Sequence, residues 1–276
     1  MDIFYENSTG ERILFNRFPI IIQEPESLFK NSWSYTSEVS HRRTFVTDFF
    51  KELEEKTIKI SVFADDSQEY DEIMENLQNI TEKDVLEKIP GKLYVNGYYL
   101  KCYVTQKTYS DYDDLFDSLE SEWTIVAENP LWIKEIEQSF LTEEENTTAA
   151  KKYPYQYAYR YASGMRNRSV INSCISSCNF KLQIFGPVLN PQIIIGGYEY
   201  LVNEYLEVGE YMIIDSLQKT VFKVMNNGTI VNIFDSREKK KSVFEKIKSG
   251  KNNVSWSGKF DFLLTIFEER AEPKWH

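Results

Sequence analysis

Apolar and polar residues alternate along much of the chain, and this pattern predicts mainly β-strands. In the first half, Thr57–Phe63 alternates with period two, which is typical of a half-buried strand. Arg12–Phe15 and Phe18–Ile22 are short apolar runs of the strand type, and Pro19 makes the second an edge strand or a strand entry. Trp123–Ala127 predicts a further strand.

A helix is predicted after the strand at residues 57–63. Asp66 is expected to cap its first turn, because Glu69 follows at capping-box spacing. The apolar residues that then share one helical face are Tyr70, Ile73, Met74, Leu77 and Ile80. Thr81–Leu86 predicts a second, short turn, and Pro90-Gly91 ends the helical region.

Two Asn-Gly pairs predict hairpins. Asn96-Gly97 lies between alternating runs, and a type I′ turn suits this pair because both central residues need positive φ. Asn227-Gly228 predicts a second hairpin. The other predicted strands of the second half are Phe180–Phe185, Gln192–Ile195, Tyr198–Val202, Tyr211–Asp215, Asn253–Ser257 and Lys259–Phe267. Such short strands between turns favour an antiparallel β-sandwich, interrupted by one short helix over Lys239–Lys248.

Charge supports a division into two domains. Residues 1–150 contain 31 acidic and 14 basic residues (−17), whereas residues 151–276 contain 12 and 18 (+6), which gives the chain its net charge of −11. The change coincides with a polar, linker-like stretch at residues 142–152. We therefore predict a mostly-β protein with an α+β domain at 1–145, containing strands and one main helix, and a β-sandwich domain at 146–276.

Composition excludes several kinds of site. Two histidines rule out mechanisms that need a histidine pair within the body of the chain, since His276 is terminal. A net acidic chain is a poor candidate for nucleic-acid binding, where phosphate neutralisation supplies most of the affinity. No segment has the ~18–20 apolar residues of a membrane span, and the N-terminus does not have the pattern of a signal peptide. We therefore expect synthesis in a cytoplasm, no membrane partner, and three ordinary thiols at Cys102, Cys174 and Cys178.

The sequence contains no recognisable catalytic motif. The acidic run Asp111–Asp117 does not match a calcium loop, because Leu115 takes a ligand position and Phe116 stands where the loop needs glycine. A sandwich glycosidase would need two facing carboxylates, and the candidates are Glu210, Asp215, Asp261 and Glu268. Nothing in the sequence selects a pair among them. There is also no nucleophile elbow and no phosphate-binding loop, so we predict no catalytic residue, cofactor or metal.

Two clusters could bind other molecules. Five tyrosines repeat with period two directly after the linker and would point to one side of a strand: Tyr153, Tyr155, Tyr157, Tyr159 and Tyr161. Such a stripe either covers a core or forms an interface with a subunit or partner. A basic cluster, Arg237–Lys241 with Lys246, Lys248 and Lys251, is either a solvated helix face or a patch that binds an anion or partner.

Several motifs, in order along nearly the whole chain, resemble the distal tail proteins (Dit) of bacteriophages with long non-contractile tails. They are Asn7–Glu11, Trp33–Tyr35, Pro90–Leu100, Glu128–Trp132, Phe180–Pro187, Asn190-Pro191, Gly209-Glu210, Trp256–Gly258 and Glu268–Trp275. The resemblance implies a non-enzymatic hub, with an N-terminal domain that assembles into a hexameric ring at the end of the tail tube. It implies that the C-terminal domain is a galectin-like β-sandwich on the periphery.

The resemblance also implies partners and a location. The ring would join the tail tube protein to a tail-tip hub, a tail-associated lysin or a tail fibre protein, and could support receptor-binding proteins. DNA would pass through its channel, and an acidic N-terminal domain would repel that DNA rather than bind it. The expected location is the distal tail tip of the virion, or of a prophage-encoded tail, after synthesis in the cytoplasm of a bacterial host.

An alternative function is a lectin-like module that binds carbohydrate at the host surface. A sugar site commonly needs an exposed tryptophan beside polar residues, and Trp256 is the candidate. The competing interpretation places Trp256 in the sandwich core, because its strand neighbours alternate and large aromatic residues dominate cores. Longer members of the family insert a carbohydrate-binding module in the sandwich, and this chain has no room for one.

Overall fold

The computed structural model describes residues 1–109, 118–142 and 169–275. These residues are mainly antiparallel strands with one α-helix, which confirms the predicted mostly-β class. The chain divides into two compact units, one of residues 1–134 together with the residues from Glu269 onward, and one of residues 135–268. The predicted boundary between residues 145 and 146 lies outside the described residues and stays a prediction.

The first unit contains a sheet and the helix. Its elements are β1 (Ile3–Glu6), β2 (Arg12–Leu14), β3 (Asn16–Arg17), β4 (Ile20–Ile22), β5 (Ser34–Ser40), β6 (Arg43–Phe50), β7 (Glu54–Phe63), α1 (Ser67–Glu87), β8 (Gly91–Val95), β9 (Tyr98–Tyr109), β10 (Ser118–Ala127) and the start of β11 (Trp132–Phe140). Strands β8, β9, β10, β7, β4 and β3 are neighbours in that order, and β1 pairs with both β8 and β2. Strands β5 and β6 pair only with each other within the described chain.

Helix α1 follows the predicted capping signals but is longer than predicted. The Asp66 side chain accepts a hydrogen bond from the backbone N–H of Glu69, and the Glu69 carboxylate accepts one from the N–H of Asp65, both at 2.8 Å. The helix continues through the residues for which a separate short turn was predicted and ends at Glu87, and Lys88 caps it in the left-handed conformation. Leu77 and Ile80 are buried in the core, as the helical spacing predicts.

Both Asn-Gly hairpins form, but with different turns. Strands β8 and β9 meet at Asn96 and Gly97, which both have positive φ (50° and 78°), as a type I′ turn requires. At the second hairpin only Gly228 has a positive φ. The N–H of Met225 donates to the carbonyl of Thr229, and the N–H of Gly228 donates to the carbonyl of Met225. This loop is therefore longer than the two-residue turn of the first hairpin.

The second unit is an antiparallel sandwich. Its elements are the end of β11, then β12 (Ser169–Asn172), β13 (Phe180–Phe185), β14 (Val188–Leu189), β15 (Gln192–Ile195), β16 (Tyr198–Leu201), β17 (Tyr205–Leu206), β18 (Tyr211–Asp215), β19 (Thr220–Val224), β20 (Ile230–Asn232), β21 (Gly250–Trp256) and β22 (Phe262–Arg270). One sheet has the order β20-β19-β18-β13-β22-β11, and the other has the order β12-β21-β15-β16. Alternate residues of both sheets are buried in one cluster, including Leu182 and Ile193, which confirms the sandwich.

The short helix predicted over Lys239–Lys248 does not form. This segment has no α-helix, and Ile247 instead pairs with Cys178 in an isolated β-bridge. Val243 and Ile247 are buried in the sandwich core. Tertiary hydrogen bonds and apolar burial thus replace the intrahelical bonds, and a short helix has little intrinsic stability to oppose them.

The expectation of three ordinary thiols is wrong for two of the cysteines. Cys174 and Cys178 are joined in a disulfide, because the turn between them brings their Cα atoms to 6.7 Å, within the usual range for a bridge. Cys102 is free and buried in β9. Burial raises the pKa of its thiol to about 12, so this cysteine is a core residue rather than a nucleophile.

Candidate interaction surface

The most exposed element of the first unit is the hairpin formed by β5 and β6. Every residue of β6 is exposed, and Ser34 is the one half-buried residue of β5. The strands pair from Ser34↔Phe50 to Ser40↔Arg43, with a register shift after Thr36. Because two strands alone are only marginally stable in water, an isolated hairpin of this length is expected to pack against another surface.

The two faces of this hairpin differ in charge. Residues directly opposite each other in an antiparallel pair share a face. The face that we call the uncharged face is formed by Tyr35, Ser37, Val39, Thr44, Val46 and Phe49. The opposite face carries Glu38, Arg43 and Asp48. Large apolar side chains on the uncharged face are strongly exposed, since Tyr35 is 62%, Val39 77% and Phe49 61% accessible.

The β5–β6 hairpin is not among the strands predicted from the sequence, because its sequence signal is weak. His41 and Arg42 at its tip both have positive φ, 46° and 68°, which is the geometry of a type I′ turn. Histidine tolerates positive φ better than most residues, but His-Arg is not one of the Asn-Gly, Asp-Gly or Gly-Gly pairs typical of this turn, so the tip lacks the usual sequence signal. The alternation is also weak, because apolar residues stand next to each other at Phe45-Val46 and at Phe49-Phe50. Exposed apolar groups concentrated on one element indicate an interaction site.

The predicted tyrosine stripe, Tyr153, Tyr155, Tyr157, Tyr159 and Tyr161, lies outside the described residues. Its role as a subunit or partner interface therefore stays a prediction. The acidic run Asp111–Asp117 also lies outside them. Among the described residues, no group of three or more His, Cys, Asp or Glu side chains could hold a metal ion. No helix in the described part of the chain is long and apolar enough to cross a membrane.

Trp256, the candidate sugar contact, is half-buried at the end of β21. Its ring packs edge-on against Phe140 and Phe262, with centroid distances of 5.8 and 5.3 Å. Its indole N–H donates a hydrogen bond to the carbonyl of Phe260 at 3.1 Å. Trp256 therefore contributes to sandwich packing, and its one polar atom already has a partner.

Trp256 also lines a cleft of about 260 Å³ within the second unit. The other lining residues are Val188, Leu189, Asn190, Pro191, Gln192, Ile194, Ser255, Ser257 and Phe260. The cleft combines an aromatic ring with amide and hydroxyl groups, and its volume lies just below the ~300–1,000 Å³ of typical small-molecule sites.

The carboxylates considered for a glycosidase have structural partners. They are Glu210, Asp215, Asp261 and Glu268. Glu210 accepts a hydrogen bond from the N–H of Glu207 at 2.8 Å and lies 2.9 Å from Lys223 Nζ. The backbone N–H and then Lys223 lower the pKa of Glu210, whereas a glycosidase acid needs a raised pKa. Asp215 accepts backbone N–H bonds from Leu217 and Gln218 in the turn after β18, and Asp261 accepts one from the distant N–H of Thr142.

Two antiparallel units, one bearing a helix and an exposed hairpin and the other a sandwich, define the architecture. No protein-family model and no curated protein matches the chain. Among solved structures it is similar to the SPP1 Dit protein (gp 19.1), described as a paradigm of the hub adsorption apparatus of phages that infect Gram-positive bacteria, with a TM-score of 0.62, 11% identity and 98% of each chain covered.

Structures of the phage P2 baseplate in its activated conformation are also similar. The form with Ca gives a TM-score of 0.64 and the form with Sr gives 0.62, each at 12% identity with 99% of each chain covered. At these identities the similarity establishes the fold. The chain thus has the fold of a Dit or baseplate hub protein over nearly its whole length, as its resemblance to the distal tail proteins implies.

Proposed function

We propose that this chain is a structural hub at the distal end of a phage or prophage tail. In this proposal, the domain at 1–145 assembles into a hexameric ring, and the galectin-like sandwich at 146–276 lies on its periphery. The ring joins the tail tube protein to a tail-tip hub, tail-associated lysin or tail fibre protein, and to receptor-binding proteins. The fold shared with tail and baseplate proteins supports this function.

The observation that carries the proposal is the uncharged face of the β5–β6 hairpin. A closed ring uses a head-to-tail contact, in which one patch meets a different patch on the next copy. The hairpin offers such a patch, because its uncharged face exposes aromatic and aliphatic side chains. Large aromatic residues are favoured at interfaces. Burying this face against a neighbouring copy would also remove its apolar groups from water.

The first experiment measures the mass of the full-length chain in solution, alongside electron micrographs of the assembled tail tip. We expect particles of about six times the 32.6 kDa chain mass and rings in projection. A chain that is monomeric at every concentration and forms no six-fold ring at the tail tip would contradict the proposal.

Variants then test the hairpin. Replacing Tyr35, Val46 and Phe49 together by serine is expected to weaken association at least about tenfold, since buried apolar anchors commonly dominate an interface. All three side chains are exposed in the single chain, so its unfolding temperature should change little. The matched control replaces Phe45 and Phe50, which lie on the opposite face. Equal effects of both variants would argue against the uncharged face as the ring contact.

The cleft beside Trp256 supports carbohydrate binding as a second candidate function. Glycan-array binding that is lost on Ser255→Ala and Gln192→Ala would favour the lectin, because these exposed cleft residues are outside the core. Trp256→Ala is less specific, since it also removes contacts with Phe140 and Phe262. The absence of binding to any glycan by the wild-type chain would dismiss this function.

A further inference from the structure

The second unit presents a strongly basic surface that the hairpin contact does not use. We call residues 237–251 the basic segment, since they include seven basic and two acidic residues. Its exposed cationic side chains are Lys239, Lys240, Lys241, Lys246, Lys248 and Lys251. Arg237 is half-buried and lies over the ring of Phe234.

The backbone of the basic segment is held in place by the sandwich. The hydroxyl of Tyr200 donates to the carbonyl of Glu245 at 2.7 Å, and the amide of Asn172 donates to the carbonyl of Ile247 at 2.9 Å. Val243 and Ile247 are buried. The lysines therefore extend from a rigid base, and ordering them on a partner costs only side-chain entropy.

The positive charges of the segment are only partly compensated: the Glu238 carboxylate lies near Lys240 and Lys241 and accepts hydrogen bonds from the backbone N–H groups of Lys239 and Lys240. Lys241 lies 3.6 Å from the carboxylate of Glu199. Within the described chain, Lys239, Lys240, Lys246 and Lys248 have no ion pair at this range. Like charges this close in sequence repel each other, and an acidic partner surface would relieve that repulsion.

The first unit presents a surface of the opposite charge. The outward face of α1 carries Asp71, Glu72, Glu75 and Glu82, all of which are exposed. Leu77 and Ile80 mark the buried side of the helix, and helical spacing places the four acidic residues on the opposite side. The helix contains one basic residue, Lys83. Lys83 is half-buried, and its Nζ donates to the hydroxyl of Thr9 at 3.3 Å.

We propose that the basic segment of one copy binds the outward face of α1 on a second copy. This inference rests on the proposed ring, and it supplies a second head-to-tail contact between neighbouring subunits. Two different and complementary patches on one chain are what a heterologous ring contact requires. A second copy is the proposed occupant because the chain itself carries an exposed acidic surface that complements the basic segment.

The test uses two charge-reversed forms of the full-length chain. One carries Lys239→Glu, Lys240→Glu and Lys246→Glu, and the other carries Glu72→Lys, Glu75→Lys and Glu82→Lys. Each form alone should associate about tenfold to a hundredfold more weakly at ~0.1 M salt, because attractive pairs become repulsive. An equimolar mixture should recover wild-type association, since an alternating ring restores opposite charges at every contact.

The outcomes separate this inference from the ring itself. Recovery in the mixture supports the contact between copies, whereas two reversed forms that associate like the wild type overturn it and leave the hairpin-based ring intact. Loss of association that mixing does not restore also overturns it. The control form carries Lys181→Glu, Lys219→Glu and Lys259→Glu, and its association should be unchanged. If the reversed lysines abolish binding to duplex DNA without affecting assembly, the basic segment is a nucleic-acid site instead.

Discussion

At the scale of single residues, a buried carboxylate explains one of the motifs seen in the sequence. Asp84 of α1 is fully buried, and it accepts hydrogen bonds from the hydroxyl of Tyr5 at 2.5 Å and from the N–H of Ser8 at 2.8 Å. Asn7 bonds back to the N–H of Glu11 and closes the turn. The Asn7–Glu11 stretch is therefore a turn tied to the helix, and Asp84 is a structural group rather than a catalytic one.

Gly91 is required by the same cluster. A Cβ atom at this position would collide with the Tyr5 hydroxyl and the Asp84 carboxylate, both of which are held by their hydrogen bond. Gly91→Ala is therefore expected to lower the free energy of unfolding by about 1–3 kcal/mol. Tyr5→Phe should cost about 1.5–3 kcal/mol, since it removes a hydrogen bond to a charged acceptor.

A double-mutant cycle of Gly91→Ala and Tyr5→Phe, followed by urea unfolding, checks this arrangement. The double variant should lose less than the sum of the two single losses, because removing the hydroxyl also removes part of the collision. Strict additivity would show that Gly91 and Tyr5 do not share this site.

The half-buried Lys107 is expected to make the stability of the protein depend on pH. Burial lowers the pKa of its ammonium group to about 8, with a smaller opposing effect from Glu82. Because the folded state disfavours the charged form, the cost to stability is complete below pH 8 and disappears as the pH rises toward the ordinary value of about 10.4. Lys107→Met should therefore be more stable than the wild type at pH 7, and this advantage should shrink above pH 8.

The measurement is the difference in urea midpoint between Lys107→Met and the wild type across that pH range. Taking the difference cancels the titration of groups that the two proteins share. A loss of stability at pH 7 would instead show that the bond from Lys107 Nζ to the carbonyl of Leu77, at 3.2 Å, outweighs the cost of burial.

At the scale of elements, helix α1 was largely predictable because its signals are local. The Asp66 and Glu69 side chains satisfy backbone N–H groups that the first turn leaves without partners. Asp66→Ala should lower the free energy of unfolding by about 1 kcal/mol, as followed by far-UV circular dichroism in urea. Asp71→Ala, a matched exposed change within the helix, should have almost no effect. Equal losses would show that the cap is not the cause.

The elements that escaped prediction depend on distant contacts or on unusual backbone conformations. The β5–β6 hairpin turns at His41 and Arg42, which both have positive φ although this pair is not a typical type I′ sequence. The segment over Lys239–Lys248 has the apolar spacing of a helix, but its bonds to Asn172 and Cys178 hold it in an irregular form. A pattern within ten residues contains no information about partners seventy residues away.

At the scale of the whole molecule, the charge of the first block leads to a prediction about the ring. If the domain at 1–145 lines a DNA channel, its acidic excess should repel the phosphates that pass. We expect a reconstruction of the assembled ring to show carboxylates rather than lysines or arginines along the bore. We also expect the ring to leave duplex DNA unretained at ~0.15 M salt. A bore lined with basic residues would contradict this arrangement.

The mostly-β class, the capped helix and both Asn-Gly hairpins follow from the sequence alone. These features arise from the period of the side chains and from the φ preferences of single residues, which are local properties. The folded arrangement of the chain brings Cys174 and Cys178 within bonding range and packs Trp256 against Phe140. It also decided that the uncharged face of the β5–β6 hairpin is exposed, because burial depends on which distant strands come together.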